Sequence, residues 1–324
     1  AVFALVAAAN GSEFNIVLSI FLGTVLFDVL IFVVAYLVEG VRQAKNRLVT
    51  SLVLTAFIIA LLPLISLLFT VVVSGAARFD PLFFTSSMRN VVGEGGGALH
   101  AIMGTLLITG MATLISVPVG LLTAIYLVEY GRGPLARAIT FFVDVMTGIP
   151  SIVAGLFAFA FFALVFSDPG IRFGFGGSVA LSLLMIPVVE RSSEEMLKIV
   201  PNELREASYA LGVPKWLTIL KIVIPTSIAG ITTGITRAIA RVIGETAPLL
   251  IIAGFTASMN YDLFNDRMMS LPVFVYTQYA NPGSVVQPYL DRAWAGALTL
   301  ILIVMALNLI ARLIARIFSP KLGR

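Results

Sequence analysis

The chain has 324 residues, of which 59% are hydrophobic and 12% charged, with a mean hydropathy of +1.03 and a formal net charge of +4. A soluble domain is nearer half apolar and a quarter charged, so the composition excludes an ordinary soluble protein and points to several membrane helices rather than one anchor. No cysteine and a single histidine, His100, exclude disulfides, thiolate metal sites and HExxH-type zinc chemistry.

The first residue is not Met, which suggests a trimmed or processed terminus, and the apolar start Ala1–Ala9 lacks the basic flank of an intact signal peptide. Seven segments are long enough to span a bilayer, at about 16–38, 49–73, 99–128, 139–166, 177–197, 222–252 and 294–317. The expected fold is an all-α, polytopic membrane helix bundle of about seven transmembrane helices. Segments between spans alternate sides, and the Lys and Arg residues divide 14 against 5 between those sides. The richer side is cytoplasmic by the positive-inside rule, which puts the N-terminus outside and the C-terminus inside. Arg237 and Arg241 are left over, because they sit within a span.

The first span carries Asp28, which either faces another helix or belongs to a pathway. VRQAKNRL then reads as a basic cytoplasmic linker. The external loop 74–98 contains GEGGG, a flexible connection and not a phosphate cradle, since no Lys-Ser/Thr follows and no strand precedes it. No GxxxxGK[ST] occurs in the chain, so any ATP must be bound by another polypeptide. The third span starts near His100, expected as an interfacial residue, and carries Pro118 and small residues suited to close helix packing. In the fourth span Gly148, Pro150 and Ser151 read either as a break or as a simple kink, and Pro187 marks a similar break in the fifth. The long external loop 255–293 holds Tyr261, Phe264, Tyr276, Tyr279 and Tyr289, suited to an aromatic belt or a partner surface. RIFSPKLGR ends the chain as a basic tail.

The segment from Pro201 to Leu250 carries the strongest local signals. Pro201 suits a helix start, Leu204, Ala207, Ser208 and Leu211 make one weakly apolar face, and Gly212 ends that helix. Pro214 starts a second, with Lys215, Trp216, Leu217, Ile219 and Leu220 lying at the membrane surface. In the following span Arg237, Arg241 and Glu245 are spaced i, i+4, i+8 and so share one face of a continuous helix. A central Arg costs roughly 2.5–3.5 kcal/mol to insert, so it needs a partner or a polar cavity. Arg241 with Glu245 could form an internal salt bridge. The same pair suits a transient anion site, where the guanidinium fork matches a tetrahedral oxyanion and the carboxylate keeps it from being trapped.

Glu206-Ala207-Ser208, Gly212, Ile222 and Pro225 together resemble the EAA loop of ABC-importer permeases, with Ser208 and Ile224 as mild departures. ARVIGETAPLL (240–250), the stretch VVERSSEEMLKIVPNELREASYALGVPKW and the GIPS break resemble, more narrowly, the PstA-type permease family of the phosphate-specific ABC importer. The resemblance covers about 99–317 and implies a core of six helices, with the N-terminal helix as an addition. It divides the chain into 1–48 (extra helix and linker), 49–98 (second helix and external loop), 99–317 (permease core, coupling loop 201–225) and 318–324 (cytoplasmic tail). It implies a phosphate permease that is not itself an enzyme, in a bacterial plasma membrane. It implies a second homologous permease, two ATP-binding subunits that hold ATP and Mg²⁺, an extracytoplasmic phosphate-binding protein, and lipid. No cofactor or metal on this chain and no nucleic-acid partner is expected. The resemblance gives Arg241 the substrate-path role, with Glu245 its partner and Arg191 a second basic site near the cytoplasmic exit; Arg237 lies outside the motif and adds to the path or contacts the partner permease. Glu206, Ala207, Ser208, Gly212 and Pro225 become coupling-loop residues, with Glu206 making an ionic or capping contact and Gly212 the bend. Competing readings are a permease for sulfate or molybdate, an ion-coupled carrier using Asp28, Asp144 and Glu245, and an intramembrane hydrolase. The docking loop argues against the carrier, and the lack of HExxH or a GxGD aspartate motif argues against the hydrolase.

Overall fold

The computed structural model describes residues 16–318. The apolar start Ala1–Ala9 and the end of the basic tail, with Lys321 and Arg324, lie outside the described residues. Among the described residues every regular element is helical, and the protein is an all-α membrane helix bundle. The chain divides into two units, residues 1–70 and 71–324.

The first unit contains α1 (Ile16–Glu39) and most of α2 (Val41–Ala76). Gly40 alone separates them, so VRQAKNRL is not a linker but the first two turns of a 36-residue helix. Glu39 accepts two bonds from Arg47, at 2.5 and 2.7 Å. Asp28 is buried and accepts from the Ser51 hydroxyl, the structural role among its two readings. Phe21, Leu37, Phe57 and Phe69 are exposed, as side chains meant for lipid are.

The second unit begins with α3 (Pro81–Thr85) and α4 (Leu99–Ile125), which runs on through a π-helical turn, Tyr126–Tyr130. Next come α5 (Pro134–Thr147), α6 (Ser151–Phe166), α7 (Gly174–Ile199), α8 (Asn202–Ala210) and α9 (Lys215–Thr218). A second π-turn, Ile219–Val223, leads into α10 (Ile224–Val242), followed by α11 (Ala247–Ile252), α12 (Leu271–Ala280) and α13 (Gln287–Phe318).

The second unit is built around α7. Two-thirds of its span (67%) is buried, against 22% for α4 and 11% for α13. Its most extensive contact is with α4, where Ser178 donates to Ile108 O (3.0 Å) and Ser182 to Ala112 O (3.4 Å). Both pairs are separated by 70 residues, so α4 and α7 run parallel. The chain must therefore recross the membrane between them. The apolar pair α5–α6 is the segment that can do so, which makes it one span bent by 110° rather than a re-entrant loop.

The bend falls at Gly148–Pro150, the break among the two expected readings. Pro150 disfavours helical backbone at Ile149 and so stops α5. Pro187 behaves differently: α7 continues through it, held on several sides by α4, α6 and α10.

On the opposite side of the second unit from its helix-pair end, the GEGGG loop is pinned rather than flexible. Arg292 is completely buried and donates to Gly93 O (2.6 Å), Gly95 O (3.0 Å) and Gln278 Oε1 (2.9 Å). Its guanidinium stacks over Tyr289, which takes that ring out of any aromatic belt. Arg78 adds a bond to Gly96 O (2.8 Å). His100 is a core residue, not an interfacial one: it is buried edge-to-face on Phe274 of α12. Tyr261, Phe264, Tyr276 and Tyr279 remain exposed.

Candidate functional site: a charged stripe and a surface helix pair

The sixth expected span is broken where a continuous helix was expected. α10 stops at Val242, and Gly244, Glu245 and Thr246 form a break before α11. Pro248 explains the stop. It has no N–H for the carbonyl of Gly244, and its ring would collide with that carbonyl in a continuing helix. Glu245 therefore does not share a helical face with Arg237 and Arg241, and no ion pair joins it to Arg241 among the described residues.

Arg237 and Arg241 do share a face. α10 buries Ser227, Ile231, Gly234, Ala238 and Val242 against its neighbours α7 and α13. At 3.6 residues per turn, the other side of the helix presents Thr226, Thr233, Arg237 and Arg241, all exposed, and Gly244 follows in line. Neither guanidinium has a hydrogen-bond or ion-pair partner among the described residues. Two like charges one turn apart repel, and hydrocarbon cannot accommodate them. This stripe must face water, an anion or another polypeptide.

Arg191, on α7, is held differently. It bonds Asp144 of α5 and lies 3.4 Å from Glu194, which also takes Lys198 at 2.7 Å. Arg191 is thus the centre of a charge network and is not joined to Arg237 or Arg241. A cavity of about 420 Å³ opens beside that network, lined in part by Arg137, Thr140, Asp144 and Glu194. A second, apolar one of about 180 Å³ lies at the α5–α6 bend, between Met146, Ile149, Phe157 and Leu184.

The helix pair 201–225 forms as expected at its bend and departs from expectation on either side. Gly212 has φ +75°, a left-handed conformation that a side chain would strain, and it turns the chain after α8. Of the expected apolar face only Ser208 is buried: Leu204, Ala207 and Leu211 are exposed, Leu211 by 84%. The surface helix starting at Lys215 is only the first turn of a continuous helical stretch to Val242. Pro225 causes the π-turn before it, because it cannot donate to Lys221 O and the chain bonds over five residues instead. Glu206 and Ala207 are exposed, and Glu206 has no partner among the described residues. Trp216 and Leu220 are exposed as well, so the pair carries apolar side chains on its outer surface.

Residues 116–324 match the family described as binding-protein-dependent transport system inner membrane component. The chain is 48% identical over 276 residues to the phosphate transport system permease protein PstA 1 of Mycobacterium tuberculosis, covering 84% of this chain and 89% of that one. The chain belongs to this permease family. It is also 39% identical to the phosphate transport system permease protein PstA of Pasteurella multocida, over 86% of this chain and 96% of that one. Among solved structures its fold is similar to a bacterial alginate ABC transporter chain, with TM-score 0.65, 14% identity, and coverage of 86% of this chain and 97% of that one. A chain of the MetNI methionine ABC transporter matches with TM-score 0.53 and 20% identity, over 69% and 95%.

Two features of this permease escaped the sequence. Arg205, an ordinary surface charge by its spacing, is drawn inward to Glu129 and the end of α7. Glu190 is 1% exposed with both carboxylate oxygens lacking a partner among the described residues. A charged residue within an apolar span is the only sequence signal for Glu190, and nothing local marked Arg205.

Proposed function

We propose that this chain is the permease subunit of an ATP-driven inorganic phosphate importer and forms half of the translocation path at its interface with a second, related permease. The observation that carries this is the stripe on α10: two arginines one turn apart, without partners among the described residues, on an otherwise uncharged, membrane-length helix that ends at a backbone break. The names of the relatives supply phosphate, and the guanidinium fork suits a tetrahedral oxyanion. Arg241 is the principal anion contact and Arg237 adds to the path. Glu245, across the break, limits how long the anion is held. Arg191, bound to Asp144 and Glu194, acts at the cytoplasmic end of the path.

The pair α8–α9 is the grip of the ATP-binding subunits, with Gly212 as its bend, Glu206 and Ala207 on its free surface, Ser208 inside it, and Pro225 at the entry to the span. Those subunits bind and hydrolyse ATP with Mg²⁺, and an extracytoplasmic phosphate-binding protein delivers the ion. The permease lies in the plasma membrane with its N-terminus outside and its C-terminus in the cytoplasm. ATP-driven closure displaces α8 and α9, and the spans rock around the stripe.

The test is uptake of labelled phosphate into vesicles containing the complete complex, with sulfate as a parallel substrate. Arg241→Ala is expected to lower phosphate uptake about tenfold or more while the subunits still co-purify. Wild-type uptake by that variant would overturn the site, and equal uptake of sulfate by the native complex would overturn the choice of ion.

A further inference from the structure

The helix pair is fixed to the rest of its unit around one residue, Glu129. Arg205 on α8 reaches Glu129 in the π-turn that ends α4, with its Nε and one terminal nitrogen each 3.0 Å from Oε1. Both side chains are largely buried, at 12% and 5% exposure. The same guanidinium donates to Val200 O (2.5 Å) and Leu197 O (3.0 Å), which close the end of α7. Lys215, at the start of α9, donates to Glu129 O and stands over the Tyr130 ring, 4.7 Å from its centre. Inside the pair, the Ser208 and Thr218 hydroxyls bond at 2.8 Å.

One α8 side chain therefore touches the ends of two parallel spans, α4 and α7, while the apolar surface of the pair points away from them. We infer that Arg205 and Glu129 are positioning residues for energy coupling: they carry displacement of the helix pair into α4 and α7. This rests on reading the pair as the grip of the ATP-binding subunits. Without the joint, α8 is tied to α7 only by the backbone at Val200–Pro201, and to α10 only through Gly212 and α9. Those links transmit motion along the chain, and they leave α4 held only through Lys215 on α9, at Glu129 O and the Tyr130 ring, with no side chain of α8 on it. Charge-assisted bonds between buried groups resist separation, because parting them strands both charges away from water.

The experiment measures phosphate transported per ATP hydrolysed by the complete complex in vesicles. Glu129→Gln keeps the shape and the main-chain contact to Lys215 but removes the charge. It and Arg205→Gln are each expected to lower the ratio about fivefold or more while ATP hydrolysis and subunit co-purification persist. Arg205→Lys should restore part of the ratio, and the double variant should be no worse than the poorer single one, as expected of residues acting together. A wild-type ratio in Glu129→Gln would overturn the joint, leaving Arg205 a cap on α7. Gly212→Leu separates the two levels. If it uncouples while Glu129→Gln does not, the joint alone fails. If Gly212→Leu changes neither co-purification nor the ratio, the grip reading itself fails.

Discussion

Arg292 shows how a single side chain can govern a loop on the far side of the molecule from the helix pair. It is buried without a carboxylate partner among the described residues, so its charge is met by carbonyls and by the Tyr289 ring. Arg292→Met would leave three acceptors unmet, at a cost of roughly 2–4 kcal/mol. The expected outcome is faster proteolysis in the 93–97 loop and a lower melting temperature in detergent, with the helix pair unaffected. Sequence put Arg292 at the end of an external loop, whereas it lies in the first turns of α13, and it read the glycines as free connection, because nothing local links Gly93 to a residue 199 positions later. Arg237 and Arg241 were legible for the opposite reason: a charge inside a span is anomalous wherever its partner lies. Glu245 was legible as a residue and not as a position. Periodicity assumed an unbroken helix, and Pro248 breaks it.

At the scale of elements, the two broken spans meet. A Cβ on Gly155 of α6 would lie 2.5 Å from Pro248 Cα and 3.0 Å from its carbonyl oxygen on α11. Those are backbone atoms, so Gly155→Ala must push α6 from α11. Gly110 of α4 has open space around it. Gly155→Ala is therefore expected to lower both folded yield and phosphate uptake. Gly110→Ala should leave uptake unchanged and add up to about 1 kcal/mol through helix propensity. Melting curves and uptake on the two variants check this contrast. The number of spans was readable from hydrophobic length, while the break at Gly148–Pro150 was readable only as one of two alternatives. The unbroken passage through Pro187 was not, since it depends on neighbours that pack around α7. The inward turn of Arg205 was hidden likewise, because α8 looks like a solvated helix until α4 is placed beside it.

For the molecule as a whole, the parallel run of α4 and α7 sets the sidedness of everything between them. Arg132 and Asp168 must lie on opposite faces of the membrane if α5–α6 crosses it. The chain has no cysteine, so single cysteines at these positions report without background. A membrane-impermeant maleimide is expected to label Asp168→Cys in intact cells and Arg132→Cys only after permeabilisation. Labelling of both from one side would make the bent pair re-entrant. The two π-turns, one carrying Glu129 and one preceding Pro225, have a further consequence. Each contains one residue more than regular winding needs, which amounts to roughly 100° of turn about the helix axis. That surplus can shift along a helix while most hydrogen-bonded rungs re-form behind it. Where α8 and α9 meet the spans, the protein thus holds torsional slack, and the ends of α4 and α10 can rotate like screws as well as tilt like levers.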